Sequence, residues 1–131
     1  MSKISEITKI LNEMSRGILV VDENLKEIVP HLENRNIRVI TPRQGEDDDH
    51  IKKVYLSKRI FITNNSKDFI DDASSYEYGI IATESLKSKD PIKLAKIISD
   101  CISKFNLWSK QHGFILKLKD NGKHELENLT N

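Results

Sequence analysis

Between Ser2 and Met14 the apolar residues Ile4, Ile7, Ile10, Leu11 and Met14 recur at three- and four-residue spacing. This marks one buried face of a short amphipathic helix, stopped by Gly17. The rhythm then changes. Ile18-Leu19-Val20-Val21 is an unbroken apolar run that ends abruptly in Asp22, as expected of a strand covered on both faces. From Leu25 to Glu33 the residues Leu25, Ile28, Val29 and Leu32 share a helical face, and Ile37 to Thr41 is a β-branched run closed by Pro42. The acidic run Glu46-Asp47-Asp48-Asp49 opens a further helix with Ile51, Val54 and Tyr55 as its apolar side. Ile60-Phe61-Ile62-Thr63 predicts a third strand, ended by Asn64-Asn65, and residues 79–83 a fourth. Asp90-Pro91 starts a helix carrying Leu94, Ile98, Cys101 and Phe105 on one face. Last comes a hairpin: Phe114 to Leu118, a turn at Asp120-Asn121-Gly122 and a return strand from His124 to Leu126.

Strands alternating with helices imply right-handed crossovers, hence a three-layer α/β domain with a mostly parallel sheet and a C-terminal β-hairpin. With 131 residues there is room for one core, so we read 1–131 as a single domain. Within it lie an N-terminal helix (1–16), a core bearing the motifs (17–83), a helix (90–108) and the hairpin (113–127). In open parallel sheets ligands bind outside the carboxyl ends of the strands. Those ends here are Asp22-Glu23-Asn24, Asn64-Asn65 and Thr83.

Composition narrows the function classes. Lys and Arg total 21 against 20 Asp and Glu, a net charge of +1, so any attraction for nucleic acid must be local. No apolar stretch approaches the roughly 20 residues of a membrane span, and none near the start fits a signal peptide. The single cysteine, Cys101, excludes an internal disulfide and lacks partners at zinc-finger spacing, which makes a cytoplasmic location the expectation.

Three acidic or amide clusters, after strand one, at the third helix start and after strand three, can meet in one cleft in this topology. Carboxylate and amide oxygens suit hard cations such as Mg²⁺ or Mn²⁺, which support phosphodiester hydrolysis. Each residue also has a structural reading. Asp22 suits a helix N-cap, Asp48 a solvated cap within the 46–49 run, and Asn64 and Asn65 suit turns. Arg38, Arg43, Lys52, Lys53, Lys58, Arg59 and Lys67 offer a rim for a phosphate backbone, or simply a solvated face.

Four stretches resemble the PIN-like nucleases, and in particular their short stand-alone branch found as the toxin of bacterial toxin–antitoxin pairs. Residues 18–25, Ile-Leu-Val-Val-Asp-Glu-Asn-Leu, resemble its opening strand and Asp-Glu-Asn-Leu motif; Asn36-Ile37-Arg38-Val39 resembles its second strand. Gly45-x-x-Asp48-x-x-Ile51 is similar to its Gly-x-x-Asp-x-x-Ile helix start, and residues 59–69 to its third strand with a Thr-x-Asp-x-Asp-Phe ending. The resemblance implies a metal-dependent ribonuclease in which Asp22, Asp48 and Asp68 are catalytic and bind Mg²⁺ or Mn²⁺ together with Asn65, with Glu23, Asn24 and Thr63 in support. It further implies RNA as substrate, an antitoxin protein covering the cleft, and a homodimer. The last motif departs from the pattern: Asn65 stands where the first aspartate is expected, and one extra residue separates Thr63 from Asp68-Phe69.

Two other readings stand beside this one. The first is a PIN-like module that binds a protein or RNA partner without catalysis, which Asn65 favours. The second is a degenerate response-regulator receiver domain, suggested by the opening strand with its acidic pair and by Thr83 at the switch-hydroxyl position. Against it, Asn64-Asn65 stand where its aspartate is expected, and the sequence predicts one helix and a hairpin in place of the strand and lysine that should follow strand four.

Overall fold

The computed structural model describes residues 18–56, 58–109 and 113–128. The helix expected over 1–16 and its stop at Gly17 lie outside them. The chain runs through β1 (Ile18–Val21), a 3-10 stretch (Glu23–Ile28) leading into α1 (Val29–Glu33), β2 (Arg38–Ile40), and α2 (Asp48–His50), which continues as a π-helical turn (Ile51–Tyr55). Then follow β3 (Ile60–Thr63), α3 (Lys67–Ile70), α4 (Ala73–Tyr76), β4 (Gly79–Ala82), α5 (Pro91–Lys104), β5 (Phe114–Leu118) and β6 (His124–Asn128).

The strands form one six-stranded sheet in the order β2-β1-β3-β4-β5-β6. The first five are mutually parallel, and β6 runs antiparallel to β5. Successive side chains of a strand point to opposite faces, so each apolar run feeds two cores. Leu19 and Val21, Ile60 and Ile62, Ile81, and Phe114, Leu116 and Leu118 join Leu94, Ala95, Ile98 and Ile102 of α5 on one face. Val20, Phe61, Ile80, Ala82 and Ile115 meet Leu56, Phe69, Ala73 and Tyr78 on the other. The result is the three-layer α/β arrangement, with helices flanking a mostly parallel sheet.

Local detail departs from the periodicity in two places. The first half of the 25–33 helix is 3-10, with Leu25 outside helical angles, yet Leu25, Ile28 and Leu32 are all buried. Farther on, Val54, expected on a buried face, is 53% exposed, while Lys52, grouped above with the basic rim, is only 6% exposed. The cause is the π-helical turn: Leu56 N–H donates to the Ile51 carbonyl, an i→i+5 bond that widens the turn and shifts the phase of its inward face. Lys52 Nζ ends 2.6 Å from Asp72 Oδ2 and 5.6 Å from the centre of the Phe69 ring.

Gly79 opens β4 against a neighbour that leaves no room for a side chain. A Cβ there would lie 2.1 Å from the Phe114 ring, which is itself 2% exposed.

Candidate functional site

Asp22 leaves the sheet where β1 ends. Its N–H still donates to the Ile62 carbonyl (3.0 Å), so the β1–β3 pairing carries one residue beyond Val21 and fixes the backbone beneath the carboxylate. Asp22 Oδ2 accepts from Thr63 Oγ1 at 2.8 Å. Thr63 Oγ1 in turn accepts from the Asn65 N–H at 3.0 Å. The fully buried Thr63 thus ties the end of β1 to the turn after β3. Asp22 Oδ1 lies 3.4 Å from the Asn24 N–H and caps the 3-10 stretch, so the N-cap reading of Asp22 holds alongside its place at the strand end.

The second contribution comes from the turn into α2. Gly45 takes φ +86°, a conformation side chains resist, and sends the chain through Glu46 to Asp47. Asp47 Oδ1 accepts from the His50 N–H at 2.8 Å. Asp47 is therefore the cap, and Asp48 makes no capping bond to the helix. Partial burial raises the Asp48 carboxyl above its ordinary range; the charges of Asp68 and Asp22 raise it further, against the pull of Lys52. The third contribution comes from the turn into α3, where Asn65 Nδ2 donates a short hydrogen bond to Asp68 Oδ2.

Asp22, Glu23, Asn24, Asp48, Asn65 and Asp68 all line a single cleft of about 170 Å³ at the carboxyl edge of the sheet. Thr63 is not part of the lining and acts on it through Asp22. Two further charged residues line the cleft that the motifs do not single out as ligands: Arg43 and Glu46. Glu46 Oε1 accepts from Tyr55 Oη at 3.0 Å, with His50 Nε2 at 3.9 Å. Its Oε2 is buried and has no hydrogen-bond partner. In the sequence Glu46 reads as one more acidic residue at a helix start. Only its place directly after the positive-φ Gly45, outside the helix proper, could have set it apart.

Among the described residues no group of three or more His, Cys, Asp or Glu side chains is arranged so that it could hold a metal ion. Two of the carboxylates are held by neutral donors instead, Asp22 by Thr63 and Asp68 by Asn65. The donor set still fits a hard cation in type, being carboxylate and amide oxygen throughout. Burial first, and then the charges of Asp68 and Asp22, raise Asp48, and the unpartnered Glu46 oxygen lies in the same acidic cleft.

The hydroxyl of Thr83 is buried and faces the Thr63 carbonyl at 3.4 Å, a backbone contact rather than an exposed switch position. Cys101 is half-buried against the core, and burial pushes its thiol up, away from the reactive thiolate. Among the described residues no helix is long and apolar enough to cross a membrane. Comparison with protein-family profiles, with curated proteins and with solved structures finds no match for this chain.

Proposed function

We propose that the chain is a metal-dependent ribonuclease of the PIN-like type, the toxin of a toxin–antitoxin pair. One observation carries the reading: Asp22, Asp48 and the Asn65–Asp68 pair, from three separate stretches of sequence, line one cleft at the carboxyl ends of parallel strands. Asp22, Asp48 and Asp68 would hold Mg²⁺ or Mn²⁺, with the Asn65 amide oxygen as a neutral donor. A bound ion of this kind supplies Lewis acidity toward a phosphate oxygen and lowers the pKa of water. The chain's own residues supply the rest. Thr63 fixes the rotamer of Asp22 through the 2.8 Å bond, and Asn65 orients Asp68. Arg43 brings a cation to the cleft wall, where it can meet the RNA backbone although the whole molecule carries a net charge of only +1.

Calorimetric titration of Mn²⁺ and Mg²⁺, with Asp22→Asn and Asp48→Asn alongside and the same samples incubated with mixed RNA, tests this. The expected result is metal binding and RNA cleavage, both lost in the two variants. Absence of cleavage by a metal-loaded protein would sink the nuclease reading.

A second reading, a PIN-like module binding protein or RNA without catalysis, is favoured by Asn65, whose uncharged amide occupies the expected aspartate position and is engaged with Asp68. The resemblance also carries an antitoxin partner, a homodimer and a cytoplasmic setting. Light scattering on the purified protein reads the dimer, and co-purification from the native host reads the partner.

A further inference from the structure

Leu94, Ile97, Cys101 and Phe105 recur at three- and four-residue spacing along α5 and its C-cap, forming a stripe beside the Ala95, Ile98 and Ile102 side chains that pack on the sheet. Opposite this stripe stand Leu86, from the loop after β4, and Leu118, the last residue of β5. Together the six wall a cavity of about 170 Å³ that shares no residue with the acidic cleft. Two contacts hold its walls together. Asp120 Oδ1 accepts from the Lys87 N–H at 3.1 Å, joining the loop to the hairpin turn, and the His124 ring lies 4.5 Å from that of Phe105.

The charged side chains of the lining are three lysines, Lys104, Lys119 and Lys123, against one carboxylate, Asp120. Lys119 is neutralised by Glu125 at 2.7 Å, whereas among the described residues Lys104 and Lys123 form no ion pair. Lys104 Nζ lies 5.4 Å from the centre of the Phe105 ring, which puts its charge beside the apolar wall. We infer that this cavity binds a small apolar carboxylate, with its hydrocarbon part against Leu86, Leu94, Ile97, Phe105 and Leu118 and its charge at Lys104 and Lys123. An apolar cavity of roughly 150 Å³ accommodates a single benzene ring, while drug-sized ligands need about 300 Å³ or more, so the occupant is one ring or one branched chain in size. Burial of that hydrocarbon supplies the affinity, and the two exposed ammonium groups select the anion. The site is independent of the nuclease reading and stands or falls apart from it.

Phenylacetate titrated into the isotope-labelled full chain tests this through amide chemical shifts, with acetate, which lacks the ring, and phenylacetamide, which lacks the charge, at matched ionic strength. Phenylacetate should shift the amides of Leu86, Leu94, Cys101, Phe105 and Leu118 along one saturating curve, with a Kd of about 1 mM or tighter. Acetate should not shift them, and phenylacetamide should bind at least about threefold more weakly. Lys104→Met combined with Lys123→Met, both at exposed positions, should lower phenylacetate to the level of phenylacetamide and leave phenylacetamide unchanged. Absence of saturable shifts, or saturation at residues of the acidic cleft instead, overturns the site. Equal affinity for phenylacetate and phenylacetamide, or phenylacetate binding that survives loss of both lysines, overturns the assignment of a carboxylate ligand.

Discussion

Thr63 Oγ1 donates to Asp22 Oδ2 at 2.8 Å, joining two strand ends that lie 41 residues apart in the chain. The same oxygen accepts from the Asn65 N–H, so one buried hydroxyl serves both sides of the cleft. Thr63→Val preserves shape while leaving the carboxylate without its donor and the amide without its acceptor. It should destabilise the protein by about 1–3 kcal/mol in urea unfolding, with Thr63→Ser recovering most of the loss. A Val variant as stable as wild type would mean that water replaces the hydroxyl without penalty.

Asp48 should make the metal-free protein less stable at neutral pH than in mild acid. Its folded pKa is raised above the ordinary 3.8, so the native state holds the proton more tightly than the unfolded chain does. Its contribution is therefore full below that ordinary value and is lost as pH rises through the folded one. Asp48→Asn is expected to melt at a higher temperature than wild type at pH 7 in EDTA, and the difference should close as pH falls through the 3.8 region. A gain that persists unchanged at low pH would assign it to something other than charge.

The Lys52–Asp72 pair makes the opposite prediction at high pH. Burial pulls the Lys52 ammonium down, but the hydrogen bond and charge of Asp72 outweigh it and hold it above its ordinary 10.5. Its stabilising effect is present at neutral pH and fades as pH climbs beyond that value. Asp72→Ala strands an ammonium that is almost fully buried. Since the Asp72 side chain is itself 48% exposed, the loss should be about 1–3 kcal/mol rather than that of a fully buried pair. Lys52→Met, which removes the charge and keeps the stem against Phe69, should restore stability in the Asp72→Ala background.

Gly79→Ala should cost about 1–3 kcal/mol, because the added methyl overlaps the buried Phe114 ring. Phe114→Leu in the same chain should recover part of that loss, and the double-mutant cycle measured in urea reads the coupling.

The apolar runs at 18–21 and 60–63 were legible because burial on both faces of a parallel strand leaves no polar position to blur them. That the acidic or amide stretches after β1, at the start of α2 and after β3 share one cleft followed from topology, since each sits at a strand or helix end facing one edge, whereas Asp48 and Asp68 were singled out by the resemblance. Lys52 was not legible: its burial depends on a π-helical turn, whose extra residue per turn no 3.6-residue period anticipates. Nor was the capping role of Asp47, which a run of carboxylates hides until a specific N–H, that of His50, selects it.

β6 has a consequence for solubility. β5 carries four buried residues of its five, and β6 covers its outer edge with His124, Glu125 and Glu127, leaving only Leu126 half-buried against the core. A chain ending at Leu118 would expose the unpaired backbone of an apolar strand, the usual template for edge-to-edge aggregation. Such a truncation should scatter light on concentration where the full chain does not. The charged final strand thus acts as a guard against self-templating, shielding the apolar edge of β5 that it covers.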